Sequence, residues 1–259
     1  VGGLGAALAD LVLPRTCAGC GVPGPALCRR CARLVARPHV ATPRRVPAGL
    51  PPVVAAGTYA GPVRAAVLAF KERGRAELSG PLGTALALAV AAGAAVLPGR
   101  PVLLVPVPPS RASLRSRGRD HVRELARVAV VELAAAGVAA RVAPLLARTG
   151  RVRDSAGLSV ADRRANLAGT FLPRRRSAVP SGAVLVLVDD VLTSGATLTA
   201  AAAALAGTRA DGDTPVLAAV VAATPRAPTP GVHHSVADGA ARRALRHPLD
   251  RLSTPVDSD

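Results

Sequence analysis

The 259-residue chain contains no methionine and no tryptophan, and its aromatic residues are Tyr59, Phe70 and Phe171 alone. So few rings argue against a surface that binds single-stranded nucleic acid by base stacking. Lysine is nearly as scarce. Lys71 is the only one among 33 lysines and arginines, which face 16 acidic residues and leave a net charge of +17. Alanine, arginine, glycine and proline are abundant, as GC-rich coding sequence produces, so the positive excess is weaker evidence for nucleic acid than its size suggests. No apolar run reaches the length of a membrane span, and the opening VGGLGAALADLVLP has neither a basic n-region nor a cleavage site. A cytoplasmic protein without membrane insertion is expected. An opening valine in a chain without methionine implies either an alternative start codon read literally or a missing N-terminus.

What is present begins with enough apolar residues, 50% of the chain, for one main core and a small appendage. The most informative stretch is AVLVLVDDVLTSGATLTAAAAAL, from Ala183 to Leu205. Val184 to Val188 is an unbroken apolar, β-branched run, the pattern of a strand buried on both faces of a parallel sheet. Two carboxylates follow, Asp189 and Asp190, then the small hydroxyl-rich segment Thr193-Ser194-Gly195-Ala196-Thr197, then an alanine-rich helix. The first turn of a helix presents unpaired N–H groups and positive potential, and Gly195 lets an anion approach the backbone. An acidic pair ahead of a phosphate cradle repels the ligand unless it faces sugar hydroxyls or a divalent cation. A phosphorylated ribose satisfies both halves.

All four cysteines stand in one cluster, Cys17-x-x-Cys20 and Cys28-x-x-Cys31. Two such knuckles present four thiolates to a structural zinc ion, and closed four-sulfur coordination leaves no position for chemistry at the metal. A pair of disulfides and a redox dithiol are the alternatives. Leu4, Leu8 and Leu11 suggest a short helix before this cluster, and Pro38 to Pro52 reads as a proline-rich linker in which His39 is a solvated loop residue.

Beyond the linker, strands and helices alternate. Strands are expected at Val53 to Tyr59, Val102 to Val107, Arg141 to Leu146, Val184 to Val188 and Val216 to Ala222. Helices are expected after Gly61-Pro62 through Phe70, at Ala76 to Ala92, at Asp120 to Ala135 with Asp120 as cap, and at Leu198 to Leu205. This order implies an α/β fold with a doubly wound parallel sheet, whose strands offer ligand sites at their carboxyl ends. His121 reads as a surface residue. The stretch from Arg148 to Phe171 is too long and polar for an ordinary connection, which marks it as functional or mobile. The segment from Arg226 onward, including His233-His234, reads as a disordered basic tail.

The string around Asp189 to Thr197 resembles the phosphoribosyl diphosphate (PRPP) loop of type I phosphoribosyltransferases. That resemblance implies that Asp189 and Asp190 take the ribose hydroxyls and that Thr193, Ser194, Gly195, Ala196 and Thr197 take the 5′-phosphate. Tyr59-x-Gly61-Pro62 followed by Phe70-Lys71-Glu72-Arg73-Gly74, together with the four-cysteine cluster, narrows the resemblance to the ComF family. Members of that family join an N-terminal zinc ribbon to a phosphoribosyltransferase-like domain. Pro106-Val107-Pro108, Arg111 and Arg117-Gly118 are similar to the family's diphosphate segment, and forked guanidiniums suit a diphosphate. Where the family continues with Asn-Gln after Arg-Gly, this chain has Arg119-Asp120-His121. Lys71, the surviving lysine inside a family motif, is expected to contact phosphate as well. Ser155, Arg163 and Asn166 fall in the segment similar to the flexible loop that closes over PRPP, with Ser155 where the family has glutamine.

The expected division is residues 1–37 as helix and zinc ribbon, 38–52 as linker, 53–225 as the domain that resembles phosphoribosyltransferases and 226–259 as tail. The resemblance implies binding of PRPP or a related ribose 5-phosphate with Mg²⁺, and transfer or hydrolysis of the phosphoribosyl group. The alternatives are a non-catalytic PRPP sensor and a competence or DNA-uptake accessory protein that binds single-stranded DNA or partner proteins.

Overall fold

The computed structural model describes residues 15–149, 170–174, 179–206 and 214–225. The expected N-terminal helix, the loop residues Ser155, Arg163 and Asn166, and the tail with His233-His234 lie outside the described residues. The helices are α1 (Arg29–Leu34), α2 (Gly61–Glu72), α3 (Ser79–Ala94), α4 (Arg111–Arg117), α5 (His121–Ala135) and α6 (Ala196–Ala206). The strands are β1 (His39–Ala41), β2 (Val53–Thr58), β3 (Val102–Pro106), β4 (Ala140–Val142), β5 (Leu146–Arg148), β6 (Phe171–Pro173), β7 (Val184–Leu192) and β8 (Val216–Ala223).

A six-stranded sheet in the order β1-β2-β8-β7-β3-β4 forms the frame. β1 is antiparallel to β2, and every other neighbouring pair is parallel. β7 lies at the centre because its apolar side chains alternate between two cores. Val184, Val186 and Val188 join α2, α3 and α5 on one face, while Leu185 and Leu187 join α6, Leu146 and Phe171 on the other. β3 divides in the same way, with Val102 and Leu104 on the first face and Leu103 and Val105 on the second. From β3 the chain runs outward to β4, and from β7 it runs the other way to β8, so their carboxyl ends flank the point where the winding reverses. The α/β class and the mostly parallel sheet agree with the sequence.

Several elements differ from expectation. The strand expected to end at Val188 continues as β7 to Leu192, which carries both aspartates on the strand itself. Arg111 to Arg117, outside the expected helices, forms the short helix α4. Its Ser110 cap accepts the Ser113 N–H at 3.0 Å, and Gly118 ends it. The proline-rich span contains an edge strand, β1, paired with β2 in the register His39↔Ala55. The turn and helix over Ala76–Ala94 are long and apolar enough to cross a membrane, against the expectation from the sequence. Here Leu78, Leu82, Leu86 and Val90 are buried in the core beside α5, and that burial accounts for the apolar character.

The four-cysteine segment is seated on the sheet rather than hung from it. Val35, just after α1, is buried in the core of the first face, and Arg37 donates its N–H to Ala56 at 2.8 Å. Arg75 donates to the Thr16 carbonyl at 2.8 Å. β2 passes so close beneath α1 that a Cβ on Gly57 would lie 2.8 Å from the Leu34 oxygen and 3.0 Å from the Val35 Cα. Both obstacles are backbone and neither can swing away. Gly57→Ala is therefore expected to destabilise the fold by about 2 kcal/mol through overpacking, measured by chemical denaturation.

Candidate functional site

The site gathers at the carboxyl ends of β3 and β7. Pro106 of β3 stands beside Val188 of β7, and Val107 donates to the Val188 carbonyl at 3.0 Å, so the chain leaving β3 toward α4 and α5 passes directly by the acidic pair. Adjacent residues on a strand point to opposite faces. Asp190 points with Val188 toward α2 and α5. The residue is 4% exposed and its Oδ2 accepts from Lys71 Nζ at 2.7 Å and His121 Nε2 at 2.9 Å. Asp189 is only partly buried and accepts the backbone N–H of Asp190 at 2.9 Å.

The two carboxylates differ in charge as they differ in setting. Burial alone would raise Asp190, but the His121 hydrogen bond and the Lys71 charge outweigh it and hold its carboxyl well below the usual range. Burial also opposes the charge of Lys71, and the Asp190 carboxylate overrides it and raises the ammonium. Among the described residues, no cation is in contact with Asp189. Burial first, and then the neighbouring Asp190 charge, push it up to about 8.

One expectation is corrected, that for His121, while Asp190 and Lys71 are found paired with each other. His121 is buried, not a surface residue, and sits edge-on to the Phe70 ring at 6.2 Å between centroids. The partners of His121 come from α2 and β7, far along the chain, and no local pattern announces them. The one available signal was its place on the first turn of α5, after the Asp120 cap that bonds Arg123 N–H at 3.0 Å.

Around this triad lie the arginines. Arg117 forks onto Glu72, Nη2 to Oε1 at 2.8 Å and Nε to Oε2 at 3.3 Å. Arg119 pairs with Glu124 and lies 4.3 Å over the Phe70 ring. Arg111 is exposed on the first turn of α4, and among the described residues no hydrogen bond or ion pair ties it to the acidic pair. Arg148, at the end of β5, passed unnoticed among so many arginines in the sequence. It is half-buried over the Phe171 ring, and burial lowers its guanidinium, with Asp189 as the opposing charge. Among the described residues, Arg119 Nη1, His121 Nδ1 and Arg148 Nε are buried without a hydrogen-bond partner.

Beyond β7, Thr193 and Ser194 are exposed, and α6 starts at Ala196, whose N–H reaches Ser194 Oγ at 3.4 Å. Thr197 is partly exposed on the first turn. Gly195 has φ of 78°, a left-handed conformation that glycine alone adopts without cost. A Cβ there would also lie 3.1 Å from Leu50 Cδ1, because Pro47 and Leu50 of the proline-rich span are packed behind the bend.

The cysteine cluster is a separate centre. The four Sγ atoms lie within 4.8 Å of one another, and Cys20 and Cys28 are 3.7 Å apart. A disulfide needs about 2.05 Å, whereas sulfurs bound tetrahedrally at about 2.3 Å from zinc stand about 3.8 Å apart. All four thiols are free, which removes the disulfide alternative. Burial acts against the Cys17 thiolate, but backbone N–H groups of Cys28, Cys20 and Gly19 outweigh it and lower the thiol to about 6. That favours the thiolate a metal binds at Cys17, whereas burial and the neighbouring cysteines raise the Cys31 thiol. The donors fit a structural zinc ion.

Fold and site together define an α/β protein with a mostly parallel six-stranded sheet and an N-terminal four-cysteine cluster suited to a metal. No family model matches the chain, and no curated protein matches its sequence.

Two outcomes are expected from this geometry. Native mass spectrometry should find one zinc ion per chain, and a chelator should lower the melting temperature, because Val35 and Cys31 lose their support together. For the aspartates the direction with pH differs. Asp190, depressed in the fold, stabilises it above about pH 4 and loses that contribution as pH falls. Lys71, raised in the fold, contributes below about pH 10.4 and loses its contribution as pH rises further. Asp189, raised to about 8, favours the fold while protonated and loses that contribution as pH rises from about 4 toward 8. Asp190→Asn should cost about 3 kcal/mol at neutral pH by leaving Lys71 unpaired. Asp189→Asn should instead gain melting temperature over wild type as pH is raised across that window. A pH-independent difference between Asp189→Asn and wild type would contradict the assignment.

Proposed function

We propose that the protein binds PRPP, or a related ribose 5-phosphate, at the carboxyl end of β7, and transfers or hydrolyses the phosphoribosyl group. One observation carries the reading: Asp189, partly buried near the end of β7, precedes a bend of exposed hydroxyls and left-handed glycine that opens the helix α6. Support also comes from the resemblance of the acidic pair, the Thr193 to Thr197 segment and the four-cysteine cluster to the ComF family.

In this reading Thr193, Ser194 and the N–H groups from Gly195 to Thr197 hold the 5′-phosphate, with the dipole of α6 behind them. Asp189 accepts from the ribose hydroxyls and faces the positive charge that develops at C1′. Lys71 and His121 hold Asp190 so that the second negative charge lies beneath the sugar instead of against it. The bond from C1′ to the diphosphate oxygen breaks with its electron pair leaving on the diphosphate, Arg111 and Arg117 receive that charge, and a nitrogen nucleophile or water bonds to C1′ and gives up its proton to the departing diphosphate. Catalysis of this kind depends on position and on preorganised charge more than on covalent participation. Mg²⁺, carried in with the diphosphate, supplies neutralisation of its charge.

Isothermal titration with PRPP and Mg²⁺ should show saturable binding that weakens at least tenfold in Asp189→Ala and in Ser194→Pro, with the fold intact by circular dichroism. Wild-type protein that takes up no heat with PRPP and Mg²⁺ would remove the reading.

A further inference from the structure

We infer that Glu72 sets the affinity of the diphosphate end of this site by competing with the ligand for Arg117. The inference rests on the phosphoribosyl reading above and concerns a residue to which that reading gives no part.

Three consecutive residues at the end of α2 each engage a different group of the site. Phe70 lies under Arg119, Lys71 holds Asp190, and Glu72 holds Arg117. The Glu72 pair has the forked geometry in which a guanidinium meets a carboxylate or a phosphate alike, with contacts at 2.8 and 3.3 Å. A ligand phosphate that uses the same fork must therefore replace the Glu72 carboxylate.

The surroundings make this pair the exchangeable one. Arg117 keeps only 18% of its side chain exposed, whereas Glu72 keeps 48%, so the carboxylate can turn out into water at little cost while the arginine stays in place. Glu72 leaves from a fixed base, because the ammonium of Lys71 is tied to the buried Asp190. Arg119 is different: its partner Glu124 lies five residues away, its side chain is 16% exposed and its guanidinium is stacked on Phe70. It has no comparable freedom to change partners. The resting site thus carries an internal carboxylate where the leaving group is to bind, and a diphosphate, with more charge and more acceptor oxygens, displaces it. The exchange involves no covalent step.

The probe is inorganic diphosphate with Mg²⁺, titrated against the full chain as wild type, Glu72→Gln, Arg117→Gln and the double variant, each checked for an unchanged melting temperature within a few degrees. Glu72→Gln is expected to bind diphosphate about threefold more tightly, the scale of a part-exposed ion pair. In the Arg117→Gln background the same substitution is expected to give no gain, whereas a general change in surface charge would persist there. Equal affinity of wild type and Glu72→Gln, or an equal gain in both backgrounds, overturns the inference and leaves the phosphoribosyl reading standing. Failure of every variant to bind either diphosphate or PRPP overturns both.

Discussion

A charge cannot be buried without a partner, and the Asp190 carboxylate sets the terms for the rest of this structure. Its position near the end of the central strand would be untenable in an apolar interior, where an isolated carboxylate is costly enough to force protonation. Lys71 from α2 and His121 from α5 meet it on one oxygen. The consequence is geometric as well as electrostatic. α2 and α5 must approach β7 closely enough to deliver a lysine and a histidine to the same point, which fixes both helices against the first face of the sheet. Phe70, between His121 and Arg119, fills the space that such a meeting of polar groups would otherwise leave. The pair Asp189 and Asp190 thereby divides into an inner residue that keeps its charge and an outer one whose charge is suppressed until something compensates it.

The N-terminal segment supports the same place from two directions. Its cysteine cluster is seated on α2 and β2 through Val35, Thr16 and the close passage at Gly57, and α2 is the helix that carries Lys71 and Glu72. The chain then makes the edge strand β1 and returns past Pro47 and Leu50, which pack behind Gly195 at the start of α6. A segment this small has little apolar surface of its own, so a metal at the four thiols would hold its shape. That shape is transmitted both to the helix that anchors Asp190 and to the bend that follows it. The cysteine cluster is thus joined to the site by packing.

What could be read in advance divides according to the range of the interaction. The apolar runs of β3 and β7, the capping role of Asp120 and the spacing of the four cysteines are all local, and each is matched by the structure. The acidic pair and the hydroxyl-rich bend were legible as neighbours for the same reason. His121 was not, because its meaning depends on a partner 69 residues away. A lone histidine after a helix cap has the same local sequence whether it faces water or a buried carboxylate. Lys71 was singled out by its rarity, which is a fact of composition, but its partner was again a matter of tertiary contact. β1 was hidden by the prolines around it, since an edge strand needs only half its hydrogen bonds and tolerates neighbours that a central strand would not. The apolar length of α3 carried no such ambiguity until it was seen at one end with the turn before it, and its burial beside α5 supplies the reason for its composition.

The scarcity of acid in this chain gives each carboxylate unusual weight. With 33 basic residues against 16 acidic ones, most cations must go without a fixed partner, so an acid near the site is informative by the choice it makes. Glu72 takes Arg117, Glu124 takes Arg119, and Asp190 takes Lys71 and His121 together. Asp189 alone in this group makes no ion pair among the described residues, although Arg148 stands near enough for their charges to interact. On the phosphoribosyl proposal, the place beside the exposed Thr193 and Ser194 is filled by hydroxyl donors and by the positive charge that develops at a ribosyl carbon, which would draw out the Asp189 charge that burial suppresses.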